Sequence, residues 1–343
     1  MFFCHAQGKN CFIESIYSFG DSIADTGNLL HEGTIGIFAP IGSFPYGETM
    51  KKATGRCSDG LLMIDYFALN LNLSLINPYL NKSANFENGV NFAVAGSTAL
   101  DTSFFVQQSI YTPVTNTPLN VQLQWFKTHL NSTCSLQTEC SRKLERALIL
   151  MGEIGGNDYN NAFFQGSTID DVKSFVPQVV ERIISAAKEV MDMGATQLVV
   201  PGNLPIGCVP SYLAMFYNAD PSAYDQNGCL KDFNSFAMYH NEELQAALEK
   251  LREAFPQATI MYADYYQAFM YLLNNAAGLG GTYNFDISLM CGLPGTGTCS
   301  DPSKYISWDG IHLTQEAYRV MAESLIMQGF AYPNYNIQDQ WKC

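Results

Sequence analysis

The sequence predicts an α/β protein whose parallel sheet is covered by helices on both faces. Short, continuous apolar runs, Ser15–Phe19, Val90–Ala95, Ala147–Met151, Gln197–Val200 and Ala258–Tyr262, recur along the chain between longer helical stretches. Strands with no polar alternation are those that a parallel sheet buries on both faces. The alternation of strand and helix also calls for right-handed crossovers. A third observation is that these strands end alike, on glycine and a polar residue: Gly20-Asp21-Ser22, Gly96-Ser97-Thr98, and Gly152 followed by Gly155-Gly156-Asn157. In an open α/β sheet the carboxyl ends of the strands line the crevice that holds the site.

In chain order, Ser15–Phe19 is the first strand and Gly20 its turn. A Gly- and Pro-rich loop from 32 to 55 follows, and Ser58-Asp59-Gly60 offers a cap for a helix over Leu61–Leu71. Leu73–Ile76 reads as a strand, and Asp101 to Pro118 as a surface excursion. Leu119–His129 is helical, and Ser132–Ser141 a loop closed by two cysteines. After the strand at 147–151 comes one amphipathic helix, Val172–Met193, stopped by Gly194. A loop rich in Tyr, Phe and Met spans Ser211–Tyr224, and a second long helix spans Phe233–Phe255. Thr314 is the N-cap of a last helix, Gln315–Met327. No repeat or flexible linker divides the chain, so residues 11–343 read as one domain. Residues 1–10 read as the remnant of a signal peptide or a disordered terminus.

With 47% hydrophobic and 15% charged residues the chain folds around a sizeable core. A net charge of −14 opposes binding to nucleic acid or an anionic membrane, and no apolar run reaches the length of a bilayer span. Ten cysteines without a Cys-x-x-Cys spacing, some close across polar turns as Cys134/Cys140 and Cys291/Cys299 are, read as disulfides in an oxidising compartment and not as a metal site. Sequons at Asn72, Asn81 and Asn131 point the same way.

The chemistry gathers at four strand ends. A serine hydroxyl needs a base to remove its proton and a third group to orient that base. Ser22 follows the first strand. Of the five histidines, His5 and His31 lie in irregular segments and His129 and His240 in helical patterns; only His312 has an acid, Asp309, at a useful spacing in the turn before a helix. The developing oxyanion needs donors, and the backbone N–H groups of Ser22 and Gly96 with the Asn157 side-chain amide supply them. Singly, each of these residues is an ordinary turn or cap; four such blocks at strand ends exceed what structure alone requires. The Gly-x-Ser-x-Gly elbow, the P-loop and the dinucleotide glycine motif are absent.

The blocks Phe19-Gly-Asp-Ser-Ile-Ala-Asp-Thr-Gly-Asn28, Gly89-Val-Asn-Phe-Ala-Val-Ala-Gly96, Gly155-Gly-Asn-Asp158 and Asp309-Gly-Ile-His312 resemble those of plant GDSL esterase/lipases of the SGNH hydrolase superfamily. So do Pro45-Tyr-Gly-Glu48, Thr54-Gly-Arg-Cys-Ser-Asp-Gly60 and Pro205-Ile-Gly-Cys208. The resemblance is strongest to the branch that includes sinapine esterase and acetylajmalan esterase. It implies a flavodoxin-like three-layer α/β/α sandwich, a secreted or vacuolar monomer, and hydrolysis of a small-molecule ester of specialised metabolism with neither metal nor cofactor. Ser22, His312 and Asp309 are then the triad, and Ser22, Gly96 and Asn157 the oxyanion hole. One segment departs: Gly281–Cys299 is shorter than the family pattern and carries a single Cys291 where an adjacent cysteine pair is expected. The competing readings are an acyltransferase with the same triad and an alcohol acceptor, and a secreted binding protein with a silent site.

Overall fold

The computed structural model describes residues 13–33, 36–112, 114–275, 297–298 and 300–333. Six strands form one sheet: β1 (Ser15–Phe19), β2 (Gly89–Asn91), β3 (Ala147–Met151), β4 (Gln197–Pro201), β5 (Thr259–Ala263) and β6 (Ala331–Tyr332). Their spatial order is β2-β1-β3-β4-β5-β6. The first five are parallel, and β6 closes the edge antiparallel to β5. The order 2-1-3-4-5 is that of the flavodoxin-like doubly wound sheet, with its switch point between β1 and β3.

Because successive side chains of a strand point to opposite faces, each strand feeds two cores. Tyr17, Phe19, Ile149, Met151, Leu198, Val200, Ile260 and Tyr262 pack under the helices Leu119–Thr133, Val176–Asp192 and Lys231–Ala254. Their neighbours Ile16, Leu148, Leu150, Val199, Met261 and Ala263 pack under Met63–Asn70, Tyr265–Asn274 and Gln315–Met327. The result is a three-layer α/β/α sandwich.

Several local expectations are corrected. Leu73–Ile76 is not a strand: Asn72 turns the chain with φ 57°, and the outer edge of β2 is taken by the next residues, Asn91 N donating to Asn77 O (2.9 Å) and Tyr79 N to Asn91 O (2.8 Å). The strand expected over 90–95 is regular only to Asn91, whose side-chain oxygen accepts from Ala93 N at 2.8 Å; beyond it Phe92 N and Val94 N still donate to Ser18 O (2.7 Å) and Gly20 O (3.1 Å). Ser58-Asp59-Gly60 does not cap the helix at Met63; Asp65 accepts from Leu62 N there (2.8 Å), while Asp59 accepts from Gln315 N (2.7 Å). The 132–141 loop contains the start of a helix, Gln137–Glu145, with Glu139 in its first turn and Arg142 and Lys143 in its last, the polarity that the helix dipole favours. Val172–Met193 is two helices, Ile169–Lys173 and Val176–Asp192, the second opening with Pro177 in its first turn.

Cys134–Cys140 is a disulfide, as is Cys208–Cys229, while Cys57 is buried as a free thiol. Cys291, Cys299 and most of the 281–299 departure lie outside the described residues, as does His5. Among the described residues no helix is long and apolar enough to cross a membrane.

Candidate active site

Ser22 sits in the turn that ends β1. Gly20 has φ 139°, and a side chain there would meet the Glu153 carbonyl at 2.9 Å, so only glycine lets the β1 and β3 ends come this close. Gln122 clamps the same glycine, accepting from Gly20 N (2.9 Å) and donating to Gly20 O (2.8 Å). Asp21 N donates to Glu153 O (3.1 Å), and Ala24 N and Asp25 N donate back to Asp21 O, closing a tight turn around Ser22. Ser22 is buried, and its backbone N–H has no hydrogen-bond partner among the described residues.

Gly96 lies in the segment that continues from β2, with φ 82° and a position where a Cβ would stand 2.5 Å from Val114. Its N–H likewise has no partner among the described residues. Asn157 occupies the first turn of the helix Gly156–Phe163, directly after β3. Its amide donates to Asp21 Oδ2 (2.9 Å) and to Ser97 O (3.0 Å). Both hydrogens of that amide are therefore engaged, which the sequence did not indicate.

The fourth block forms an acid–base pair. His312 Nδ1 lies 2.7 Å from Asp309 Oδ2, and both side chains are almost fully buried. Asp309 Oδ1 accepts from Ile311 N (3.1 Å) and His312 N (2.8 Å), and Tyr46 Oη donates to Oδ2 at 2.8 Å. Burial works to raise this carboxyl, but the His312 charge and these donors outweigh it and hold it below the ordinary aspartate value. An ionised Asp309 fixes the proton on Nδ1, which leaves the lone pair on Nε2. Nε2 is buried with no partner among the described residues, so no hydrogen bond joins it to Ser22 Oγ in this state. Apo sites often show such long contacts, which tighten on binding. Ser22 and Ile311, the residue before His312, line one pocket of about 480 Å³, its open mouth included.

The same pocket is lined by Asp21 and Glu153. Burial and the charge of Glu153 push the Asp21 carboxyl well above its ordinary value, and burial raises Glu153 as well. Each carboxyl of the pair therefore holds a proton more tightly than an ordinary one, and Asp21 Oδ2 is the acceptor of the Asn157 amide. Two further carboxylates brace the blocks. Asp25 accepts from Gly27 N, Asn28 N, Leu29 N and, across the site, Ala95 N (2.9 Å). Asp158 accepts from Ala99 N (2.7 Å) and Leu100 N (2.9 Å). Asp25 and Asp158 sit inside the sequence blocks, but nothing in their spacing announced that they tie one block to another. Tyr46, 263 positions from Asp309, gave no signal of its own.

His129 and His240 are structural, as their helical patterns suggested; His240 Nδ1 pairs with Tyr159 Oη at 2.8 Å, and burial lowers both histidines to about 4. His31 is exposed. In the 101–118 excursion Phe105 belongs to the core and Tyr111 is exposed; the stretch expected as a loop over Ser211–Tyr224 opens within a helix, Pro210–Met215, whose Tyr212 lines the pocket, while Phe216 packs on Phe163 and Phe233. Among the described residues no cluster of three or more His, Cys, Asp or Glu is arranged to hold a metal ion.

Fold and site together define a doubly wound α/β protein with a serine at the switch point and a buried Asp–His pair on the same rim. The family model "GDSL-like Lipase/Acylhydrolase" matches residues 16–325, and the chain belongs to this family of carboxylic ester hydrolases. It is 44% identical to acetylajmalan esterase 2 of Rauvolfia serpentina over 92% of this chain and 90% of that one. It is also 44% identical to a GDSL esterase/lipase of Arabidopsis thaliana over 96% of this chain and 88% of that one. Among solved structures it is similar to a phospholipase A1 from Streptomyces albidoflavus NA297, at 15% identity and a TM-score of 0.41, over 91% of this chain and 99% of that one.

Proposed function

We propose that this esterase hydrolyses a carboxylic ester of a small plant metabolite through an acyl-enzyme on Ser22. The observation that carries the reading is the buried Asp309–His312 pair, which leaves Nε2 without a partner among the described residues and follows directly on Ile311, a residue that lines the same pocket as Ser22. His312 Nε2 takes the Ser22 proton as Oγ attacks the ester carbonyl. The free N–H groups of Ser22 and Gly96 receive the oxyanion, and Asn157 joins them by releasing one N–H from Asp21 or Ser97. Collapse expels the alcohol, which takes the proton from His312. Water then attacks the acyl-enzyme with the same histidine as base, releasing the acid and restoring Ser22.

Similarity to the acetylajmalan esterases supports a specialised-metabolite substrate. Two disulfides support passage through the secretory pathway. So do the exposed Asn72 and Asn131 and the half-buried Asn81, which are proposed glycosylation sites on a secreted or vacuolar monomer. The test is release of 4-nitrophenol from 4-nitrophenyl acetate by the wild type and by Ser22→Ala. Turnover lost in the variant is expected; turnover that persists there removes Ser22 from the mechanism.

A further inference from the structure

Beyond the reacting groups, the pocket beside Ser22 has a wall formed by Asn203, Leu204, Ile206, Val209, Ser211 and Tyr212. This wall is braced from several sides. Asn203 N donates to Asn241 Oδ1 (2.6 Å) and Asn241 Nδ2 donates to Asn203 O (3.0 Å). Gly207 N donates to Asn234 Oδ1 (2.9 Å), and Cys208–Cys229 ties the loop to the approach of the long helix at Lys231. Ser211 N donates to Gly310 O at 3.0 Å, which fastens the wall to the turn carrying Asp309 and His312.

Within so braced a segment, two side-chain atoms are left over. Asn203 Nδ2 and Ser211 Oγ are buried and have no partner among the described residues, and both residues are only 3% exposed. A buried polar group without a partner is costly to the free protein and is retained where something else satisfies it. The other polar wall groups are already committed: Tyr212 Oη donates to Asn160 Oδ1 at 2.6 Å. The lining also contains the Asp21 and Glu153 carboxyls and no Lys, Arg or His.

We propose that Asn203 and Ser211 form a specificity subsite for a hydroxyl or carbonyl oxygen on the uncharged part of the substrate that enters this pocket. A hydroxyl suits both partners, since the serine hydroxyl and the carboxamide each donate and accept. The acidic lining turns away an ester that carries a carboxylate there. This inference rests on the esterase reading above and narrows it to neutral, oxygenated esters.

The test compares matched esters differing by one hydroxyl: 4-nitrophenyl butanoate with 4-nitrophenyl 3-hydroxybutanoate for the acyl side, and cyclohexyl acetate with 2-hydroxycyclohexyl acetate for the alcohol side. 4-Nitrophenyl succinate serves as the anionic control. The wild type is expected to favour the hydroxylated member of one pair by about tenfold or more in kcat/KM, and to turn over the succinate least. Asn203→Ala and Ser211→Ala should bring that ratio toward one without lowering the melting temperature, because neither substitution removes a protein hydrogen bond. Calorimetric affinities of the corresponding amides, which need no turnover, should show the same preference. Equal kcat/KM and equal affinity within both pairs, a preference that survives both substitutions, or succinate turned over as fast as hydroxybutanoate would overturn the subsite. Absence of ester turnover with the amide preference intact would instead count against the esterase reading and leave the subsite standing.

Discussion

Asp309 shows how one side chain can set the chemistry of another. It accepts four hydrogen bonds, two from its own turn, one from His312 Nδ1 and one from Tyr46. In Asp309→Asn a carboxamide can present an N–H to Nδ1, stabilising the tautomer whose Nε2 carries the proton and cannot act as base. Loss of about 10³–10⁴ in kcat is expected, as for the equivalent change in other triads; initial rates on 4-nitrophenyl acetate measure it, and a loss under tenfold would remove Asp309 from the triad. Tyr46→Phe deletes only one of the four donors. It should lower kcat by a smaller factor, about 3- to 10-fold, with KM little changed. At this scale the sequence revealed the Asp309–His312 pair, because three residues of spacing in a turn bring the two together. Tyr46 was hidden because its contact is made by the fold and not by spacing.

At the scale of elements, the ends of β1 and β3 were legible because these buried strands stop abruptly at Gly20 and Gly152, whereas β2 ends at Asn91, well before Gly96. What the sequence did not disclose is how the ends are fastened. Asp25 joins the Ser22 turn to Ala95, Asp158 joins the Asn157 helix to Ala99 and Leu100, and Gln122 reaches from a helix to both polar atoms of Gly20. Such braces satisfy buried N–H groups, a demand visible only once burial is known. The same blindness explains Leu73–Ile76: the run suits a strand, but pairing is decided by which segment reaches the free edge of β2. Asp158→Ala orphans two buried N–H groups and should cost about 2–6 kcal/mol of stability, read from urea unfolding. Because Asn157 is its neighbour in the helix, kcat should fall more than KM rises. Gly96→Ala combines a positive φ with a Cβ placed against Val114. It should reduce kcat/KM at least tenfold through displacement of a proposed oxyanion donor. Wild-type kinetics in that variant would show that the Gly96 N–H does not face the reaction.

For the whole molecule, the balance of buried titratable groups sets how stability responds to pH, through which state binds more protons. Burial raises Asp25 to about 6 and Asp158 to about 7, and the Asp21–Glu153 pair keeps a proton well above the ordinary carboxylate range. From about pH 4 upward the unfolded chain has released these protons while the native state still holds them, so each such group makes stability fall as pH rises toward its folded value. His129 and His240 act in the opposite sense: burial holds them at about 4, so between about 4 and 6.5 the unfolded chain binds protons that the native state refuses, and their contribution is lost as pH falls. Below about pH 6 the two histidines oppose the buried carboxyls, so the fall of stability with rising pH is partly offset. As pH rises through 6.5 the unfolded histidines lose their protons and their opposition fades, while Asp25 and Asp158 release their native protons at about 6 and about 7, so the two changes largely cancel and the decline continues without a marked break. Self-repulsion in a chain of net charge −14 works in the same direction. Scanning calorimetry from pH 5 to 8 should therefore show a melting temperature that declines as pH rises. His240→Leu should steepen the decline below about pH 6.5 by removing one opposing group. A melting temperature that climbs steadily across this range would mean that the buried carboxyls are ionised in the native protein, stabilised by the backbone donors around Asp25 and Asp158.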